Sequence, residues 1–307
     1  MRIAMMGSGG VGGYYGGRMA AAGHDVTFIA RGAHLAAIRE HGLRIESRDM
    51  ADATVHPASA TDDPAEVGPV DCVIVAVKLW DTEAAGHAIL PMLGPDTMVL
   101  SLQNGVECDD ILAPVVGPER LIGGVAHIAA SIGEPGLISH IGTMQRATIG
   151  EPGAGRSARV EALNQAMLDG GITAAISDDI ERTIWEKFVF LVGLSATTTL
   201  MRTTIGPVRN DPDSRAFLLG VMREAVAVGR AKGVALPQDF ADDRLAFADG
   251  LPVDMTASMH HDFKRGNPLE IAWLSGAVVR FGRDEGIPTP INHTVYAALK
   301  PYAAPTP

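Results

Sequence analysis

Three glycines near the start of the chain are spaced to hold a phosphate. Gly7, Gly9 and Gly12, within Gly7-Ser8-Gly9-Gly10-Val11-Gly12, form G-x-G-x-x-G directly after the run Arg2-Ile3-Ala4-Met5-Met6. Such a turn leaves backbone N–H groups at a helix N-terminus, where hydrogen bonds and the helix dipole bind a pyrophosphate. Gly7 would permit the turn, Gly9 would let a phosphate approach the backbone, and Gly12 would let the helix close on the strand. Among 35 glycines the motif alone is unspecific. Its context is informative, because segment 14–22 suits a helix and a second strand-like run, His24-Asp25-Val26-Thr27-Phe28-Ile29-Ala30, follows at βαβ distance. A dinucleotide site is therefore expected, with a merely structural turn as the alternative. The second run ends in Ala30-Arg31-Gly32, without the carboxylate that NAD-selective sites use to accept bonds from the ribose hydroxyls. Arg31 cannot accept a hydrogen bond, but its planar fork suits a phosphate, so NADP(H) is the expected cofactor. The alternative makes Arg31 a solvated loop charge and gives the ribose to Glu40 or another carboxylate.

Other residues stand where chemistry is done. Lys78 follows the β-branched run Val70-Asp71-Cys72-Val73-Ile74-Val75-Ala76-Val77, and Asn104 follows Thr97-Met98-Val99-Leu100-Ser101-Leu102-Gln103. Both runs read as parallel strands buried on two faces, and ligands of doubly wound sheets lie outside the carboxyl ends of such strands. Taken singly, Lys78 is a snorkelling loop lysine and Asn104 an Asn-Gly turn residue; their shared position favours function. Lys187 edges the apolar run of Trp185-Glu186-Lys187-Phe188-Val189-Phe190-Leu191. An ammonium desolvated there has its pKa lowered toward a range useful for proton transfer, unless it lies on the solvent face with Glu186. Glu270 reads as the opening of a helix, where the dipole favours a carboxylate and capping explains it equally. His260 and His261 are adjacent, so on a helix they face different directions, and no H-x-x-x-H pattern completes a metal site; no metal is expected.

These residues require two kinds of element to position them. A chain of 307 residues has room for two domains with separate cores. Residues 1–177 alternate strand and helix, with segment 42–47 as a peripheral strand, a polar loop through Pro69, a strand-rich stretch at 121–149, a helix at 159–170 and a last strand at 172–177. From 178 to 307 the spacing is helical, at 178–200, 212–233, 237–250, 253–264, 269–286 and 290–302. The expected fold is α/β, an N-terminal Rossmann-like doubly wound sheet followed by an all-helical substrate and catalytic domain, with the chemistry between them. A formal net charge of −11 disfavours nucleic acid or an anionic membrane as partner. Cys72 and Cys108 form neither a metal nor a disulfide pattern, and no signal peptide or membrane-length apolar run is evident, so cytoplasm is expected.

In order along the chain, Gly7-Ser8-Gly9-Gly10-Val11-Gly12, Arg31, Val77-Lys78 with Trp80, Gln103-Asn104-Gly105-Val106, Trp185-Glu186-Lys187 and the spacing from Ser258-Met259 through Asp262 and Gly266 to Glu270 resemble the ketopantoate reductase (2-dehydropantoate 2-reductase) family. The resemblance spans nearly the whole chain. It implies NADPH-dependent reduction of a small 2-oxo acid to the 2-hydroxy acid, ketopantoate to pantoate by default. Lys187 would occupy the catalytic lysine position, donating a proton as hydride arrives. Asn104 would hold substrate and nicotinamide in register, Ser258 would bind the substrate carboxylate, and Glu270 would position groups near the lysine. Gly7 to Gly12, Arg31 and Lys78 would serve the cofactor. The chain departs from the family where pantoate-forming members carry asparagines: Leu191 and Ser195 stand one and two turns after the lysine, and Met255 three residues before the serine. A site that loses partners for a substrate hydroxyl changes its specificity, so a more apolar 2-oxo acid is an alternative substrate. Rival readings are a 2-hydroxy acid dehydrogenase working oxidatively and a non-catalytic NADP-binding sensor. A homodimer through the helical half is consistent with its apolar helix faces.

Overall fold

Strands whose residues are apolar on both faces need helices on both faces, and that requirement shapes the first half of the chain. A computed structural model describes residues 1–153 and 155–303. The chain divides into two compact units, Met1–Thr183 and Ile184–Pro307. The division falls inside a helix, whereas the point anticipated from the sequence, 177/178, lies in the loop before it.

The first unit begins β1 (Arg2–Met6), α1 (Gly10–Ala21), β2 (Asp25–Ile29), α2 (Gly32–His41), β3 (Leu43–Ser47), β4 (Ala53–Val55), β5 (Ser59–Thr61) and β6 (Val70–Val75). It continues with α3 (Thr82–Ala88), β7 (Leu93–Ser101), α4 (Cys108–Val116), β8 (Leu121–Glu134), β9 (Leu137–Gly150), α5 (Ala158–Asp169) and β10 (Thr173–Ile176). The strands form one sheet in the order β4-β3-β9-β8-β7-β6-β1-β2-β5, with β10 paired to β9. Every pairing from β5 to β8 is parallel. The β8–β9 hairpin is antiparallel, and β9 pairs in parallel with β3 early in its length and with β10 late. Alternate residues of a strand face opposite ways, and the cores follow that period. Ile3, Met5, Cys72 and Ile74 pack with Tyr15, Met19, Ile38 and Leu163 from α1, α2 and α5. Ala4, Met6, Val73 and Val75 pack with Ala85, Leu112 and Val116 from α3 and α4. The doubly wound α/β expectation therefore holds. The polar loop expected before Pro69 instead contains β4 and β5, edge strands of three residues each, too short to show a hydrophobic period.

Helix α6 (Ile180–Leu200) leads into the second unit, which contains α7 (Ile205–Asn210), α8 (Pro212–Ala231), α9 (Phe240–Asp249), α10 (Ser258–Arg265), α11 (Ser275–Asp284) and α12 (Pro290–Leu299). Glycines bring α6 and α8 close: a Cβ on Gly193 would lie 2.6 Å from Met222, and one on Gly229 would lie 2.7 Å from the Trp185 ring. Glu224 of α8 caps α12, accepting from the Ile291 and Asn292 N–H groups at 2.8 Å. Two helices are shorter than their spacing suggested. Segment 253–257 is not helical because the Val253 and Met255 carbonyls accept from Gly206 and Ile205 at the start of α7, a helix the sequence reading missed. Residues 271–273 form a 3-10 turn and the longer helix starts only at Ser275.

Candidate active site

In the first unit, four candidate segments come together at the carboxyl ends of neighbouring strands. Arg31 follows β2, Gly7 to Gly12 follow β1, Lys78 follows β6 and Asn104 follows β7, in the spatial order of those strands. Three inter-strand gaps separate the outer two, about 15 Å. Gly7 has φ +97°, and a Cβ on Gly12 would lie 2.1 Å from the Gly7 carbonyl oxygen, so the fold itself demands both glycines. Gly10 is likewise demanded by β8, since its Cβ would lie 2.2 Å from the Ala130 oxygen. At Gly9 a Cβ would meet no described atom within 4 Å, so the fold does not demand that glycine; a phosphate drawn against the backbone would. Helix α1 begins there without a side-chain cap and without an acidic residue in its first turn. Its N-terminal N–H groups and positive dipole end fit an anionic pyrophosphate. Ser8 is buried, with its hydroxyl donating to the Met5 carbonyl at 3.4 Å, and Val11 is half-buried against the core.

Arg31 is the exposed N-cap residue of α2, and among the described residues its guanidinium has no partner. Glu40 stands in the last turn of α2, about 14 Å further along the helix axis, and its carboxylate lies 3.7 Å from His41. The end of β2 therefore presents a cation rather than a carboxylate. Lys78 is exposed, with its Nζ 5.7 Å from the centre of the Trp80 ring. Asn104 is half-buried in a turn where Gly105 takes φ +91°, and the Cys108 thiol donates to the Asn104 carbonyl at 3.5 Å. Gln103 joins the two loops: its amide donates to the Val77 carbonyl at 3.1 Å and to the Thr82 hydroxyl at 2.8 Å.

In the second unit, Lys187 is half-buried on α6, followed at helical spacing by Leu191, half-buried, and Ser195, buried. The Ser195 hydroxyl is buried without a partner among the described residues. Ser258 is exposed as the first residue of α10. That helix is tied to α6: His260 Nδ1 donates to the Thr198 carbonyl at 2.7 Å, and the Ala257 N–H donates to the Thr198 hydroxyl at 3.5 Å. His261 turns elsewhere, with Nε2 3.0 Å from the Thr256 hydroxyl, so the two imidazoles serve different structural contacts. Glu270 is buried at 9% exposure immediately before the 3-10 turn. The expectation that it opens a helix is thereby corrected, and a three-residue turn supplies little dipole to explain a carboxylate there. The segment is anchored by the Leu269 N–H donating to Tyr302 at 2.9 Å and by Arg280 donating to the Ala272 carbonyl at 2.7 Å. Met255 is half-buried.

Sequence reasoning missed Gln103 as a fastening between loops, and His34 beside the glycine turn. Neither has a distinctive spacing; only the pairing of loops in space reveals them.

A glycine turn that fits a pyrophosphate, a cation at the end of β2 and a helical unit carrying a half-buried lysine are the arrangement expected of a nicotinamide-dependent oxidoreductase. The family model of ketopantoate reductase PanE/ApbA matches residues 3–153, and that of its C-terminal part matches residues 179–303. A 2-dehydropantoate 2-reductase of Mesorhizobium japonicum is 34% identical, over 98% of this chain and 97% of the relative. The crystal structure of 2-dehydropantoate 2-reductase from Geobacter metallireducens is 32% identical with a TM-score of 0.91, covering 98% of this chain and 99% of that one. D-mandelate dehydrogenase, solved with NADH and anilino(oxo)acetate, shares the fold at 22% identity and a TM-score of 0.89, covering 98% of each chain. The chain belongs to the ketopantoate reductase family, and so to the NADP-dependent oxidoreductases acting on CH–OH groups. Among the described residues no helix is long and apolar enough to cross a membrane.

Proposed function

We propose that the protein reduces ketopantoate to pantoate with NADPH, Lys187 supplying the proton to the ketone oxygen. The observation that carries this reading is that the family match extends over both halves of the chain, residues 3–153 and 179–303, the second range containing Lys187 and Glu270. NADPH, when bound, supplies the hydride. A ketone becoming an alkoxide develops negative charge on oxygen, and an ammonium held there both stabilises that charge and delivers the proton. Partial burial of Lys187 strengthens the interaction by lowering the local dielectric. Ser258 would hold the substrate carboxylate, Asn104 would orient the carbonyl, and Glu270 would position the groups around the lysine. Gly7 to Gly12 would hold the pyrophosphate, with Lys78 beside it, and Arg31 the 2′-phosphate.

A second reading keeps the reaction and changes the substrate to a more apolar 2-oxo acid. It is favoured by Leu191, one turn from Lys187, and by Ser195 and Met255, where amides would otherwise pair a substrate hydroxyl. NADPH oxidation followed at 340 nm with ketopantoate beside branched apolar 2-oxo acids separates the two. A preference for ketopantoate by several orders of magnitude supports the first reading; a preference for the apolar acids supports the second. No turnover with any 2-oxo acid overturns both. The buried thiols of Cys72 and Cys108, not paired in a disulfide, suit a reducing cytoplasm. Exposed Phe247 and Val253 on the helical unit suit a homodimer, which sedimentation would test.

A further inference from the structure

His34 sits where the glycine turn, α2 and the β8–β9 hairpin meet. The Gly136 N–H donates to its Nδ1 at 3.0 Å, so Nδ1 carries the lone pair. Nε2 therefore carries the proton and donates to the Ser8 carbonyl at 2.9 Å. Both ring nitrogens are committed, and the ring must be neutral to make both bonds. Burial lowers its pKa from the ordinary histidine value, against the opposing pull of the Ser8 carbonyl.

The consequence lies in the next peptide. A peptide unit is planar and trans, so the Ser8 carbonyl and the Gly9 N–H point in opposite directions. Fixing that carbonyl against His34 fixes where the Gly9 N–H is aimed. The Ser8 N–H is already held by the Ile29 carbonyl at 3.1 Å, which locks the other side of the residue. Among the described residues nothing accepts from the Gly9 N–H, and the space beside the Gly9 Cα is open. We infer that His34 is a positioning residue for the cofactor: by holding the Ser8 carbonyl it aims the Gly9 N–H at the pyrophosphate. The role rests on NADP(H) occupying the glycine turn.

Because the ring makes two separable bonds, two amide variants divide them. His34→Gln reaches as far as Nε2 and retains a donor for Ser8. His34→Asn reaches only as far as Nδ1, retaining the tie to Gly136 and losing the one to Ser8. NADPH dissociation constants, measured by fluorescence titration of the full chain, are expected to rise roughly tenfold in His34→Asn and His34→Leu. In His34→Gln they should stay within about threefold of the parent. Melting temperatures taken alongside separate this from loss of fold, since a purely structural histidine would make affinity follow stability. Equal affinity in the Asn and Gln variants, or losses that track melting temperature, would overturn the assignment. A parent chain that binds no NADPH would overturn the cofactor reading and this inference with it, whereas normal binding in all three variants would overturn this inference alone.

Discussion

The two units specify their sites in different materials. In the first, the proposed ligand contacts come largely from backbone: the N–H groups of a turn whose geometry is enforced by Gly7, Gly10 and Gly12 packing against carbonyls and strands. In the second the proposed contacts are side chains, Lys187 and Ser258 carried by helices and Glu270 by the segment just before a 3-10 turn. A site built from backbone fixes which residues are small, and one built from side chains fixes which groups are charged. Mutations should therefore fail in different ways in the two units.

The largest effect is expected at Lys187. Lys187→Ala should lower turnover about 10²- to 10⁴-fold, the usual contribution of a proton-transferring group, while the NADPH dissociation constant changes less than about twofold. A parallel loss of both would show that the two units do not divide the labour. Next come the glycines. Gly12→Ala pushes a Cβ into the Gly7 carbonyl and should cost about 3 kcal/mol or more, read as a lower denaturant midpoint. Gly9→Ala meets no described atom within 4 Å, so its stability should be unchanged while NADPH binding weakens. If Gly9→Ala bound NADPH normally, the open side of the turn would not be where phosphate lies. Arg31→Ala should weaken NADPH about 10- to 100-fold, the range for a charged hydrogen-bonded contact, and leave NADH nearly untouched; equal losses would contradict the phosphate role.

The smallest effect is purely structural. Arg159 grips Glu151 with two bonds of 2.7 Å at the start of α5, and Ser157 adds a third. The Arg159 hydrogen bonds hold the Glu151 carboxyl below the usual carboxylate range, against the opposing effect of burial. A depressed carboxylate stabilises the fold above its unfolded pKa of about 4.3 and loses that contribution as pH falls through the folded value. Glu151→Gln should thus lower the melting temperature by a few degrees at pH 7, about 1–3 kcal/mol. The difference should shrink in acid, with kinetics unaltered throughout.

How far the sequence could be read follows the same division. The glycine turn and the parallel strands were legible because backbone demands leave marks on residue type: φ +97° at Gly7, and unbroken apolar runs where both faces are covered. Helix ends in the second unit were not, because the carbonyls of Val253 and Met255 are diverted to α7 by a contact remote in sequence. His34 and Gln103 act through loop carbonyls brought near only by folding. The roles of Ser258 and Glu270 came from family resemblance rather than spacing, since a serine at a helix start and a glutamate before a turn are common for local reasons.

The central claim is that the Lys187 ammonium delivers the proton, and adding that group back tests it most directly. Turnover of Lys187→Ala should rise with concentration of a small alkylammonium ion at saturating NADPH, recovering part of the lost rate. A Lys187→Ala chain that reduces the 2-oxo acid at the parent rate, with no need of added amine, would contradict it.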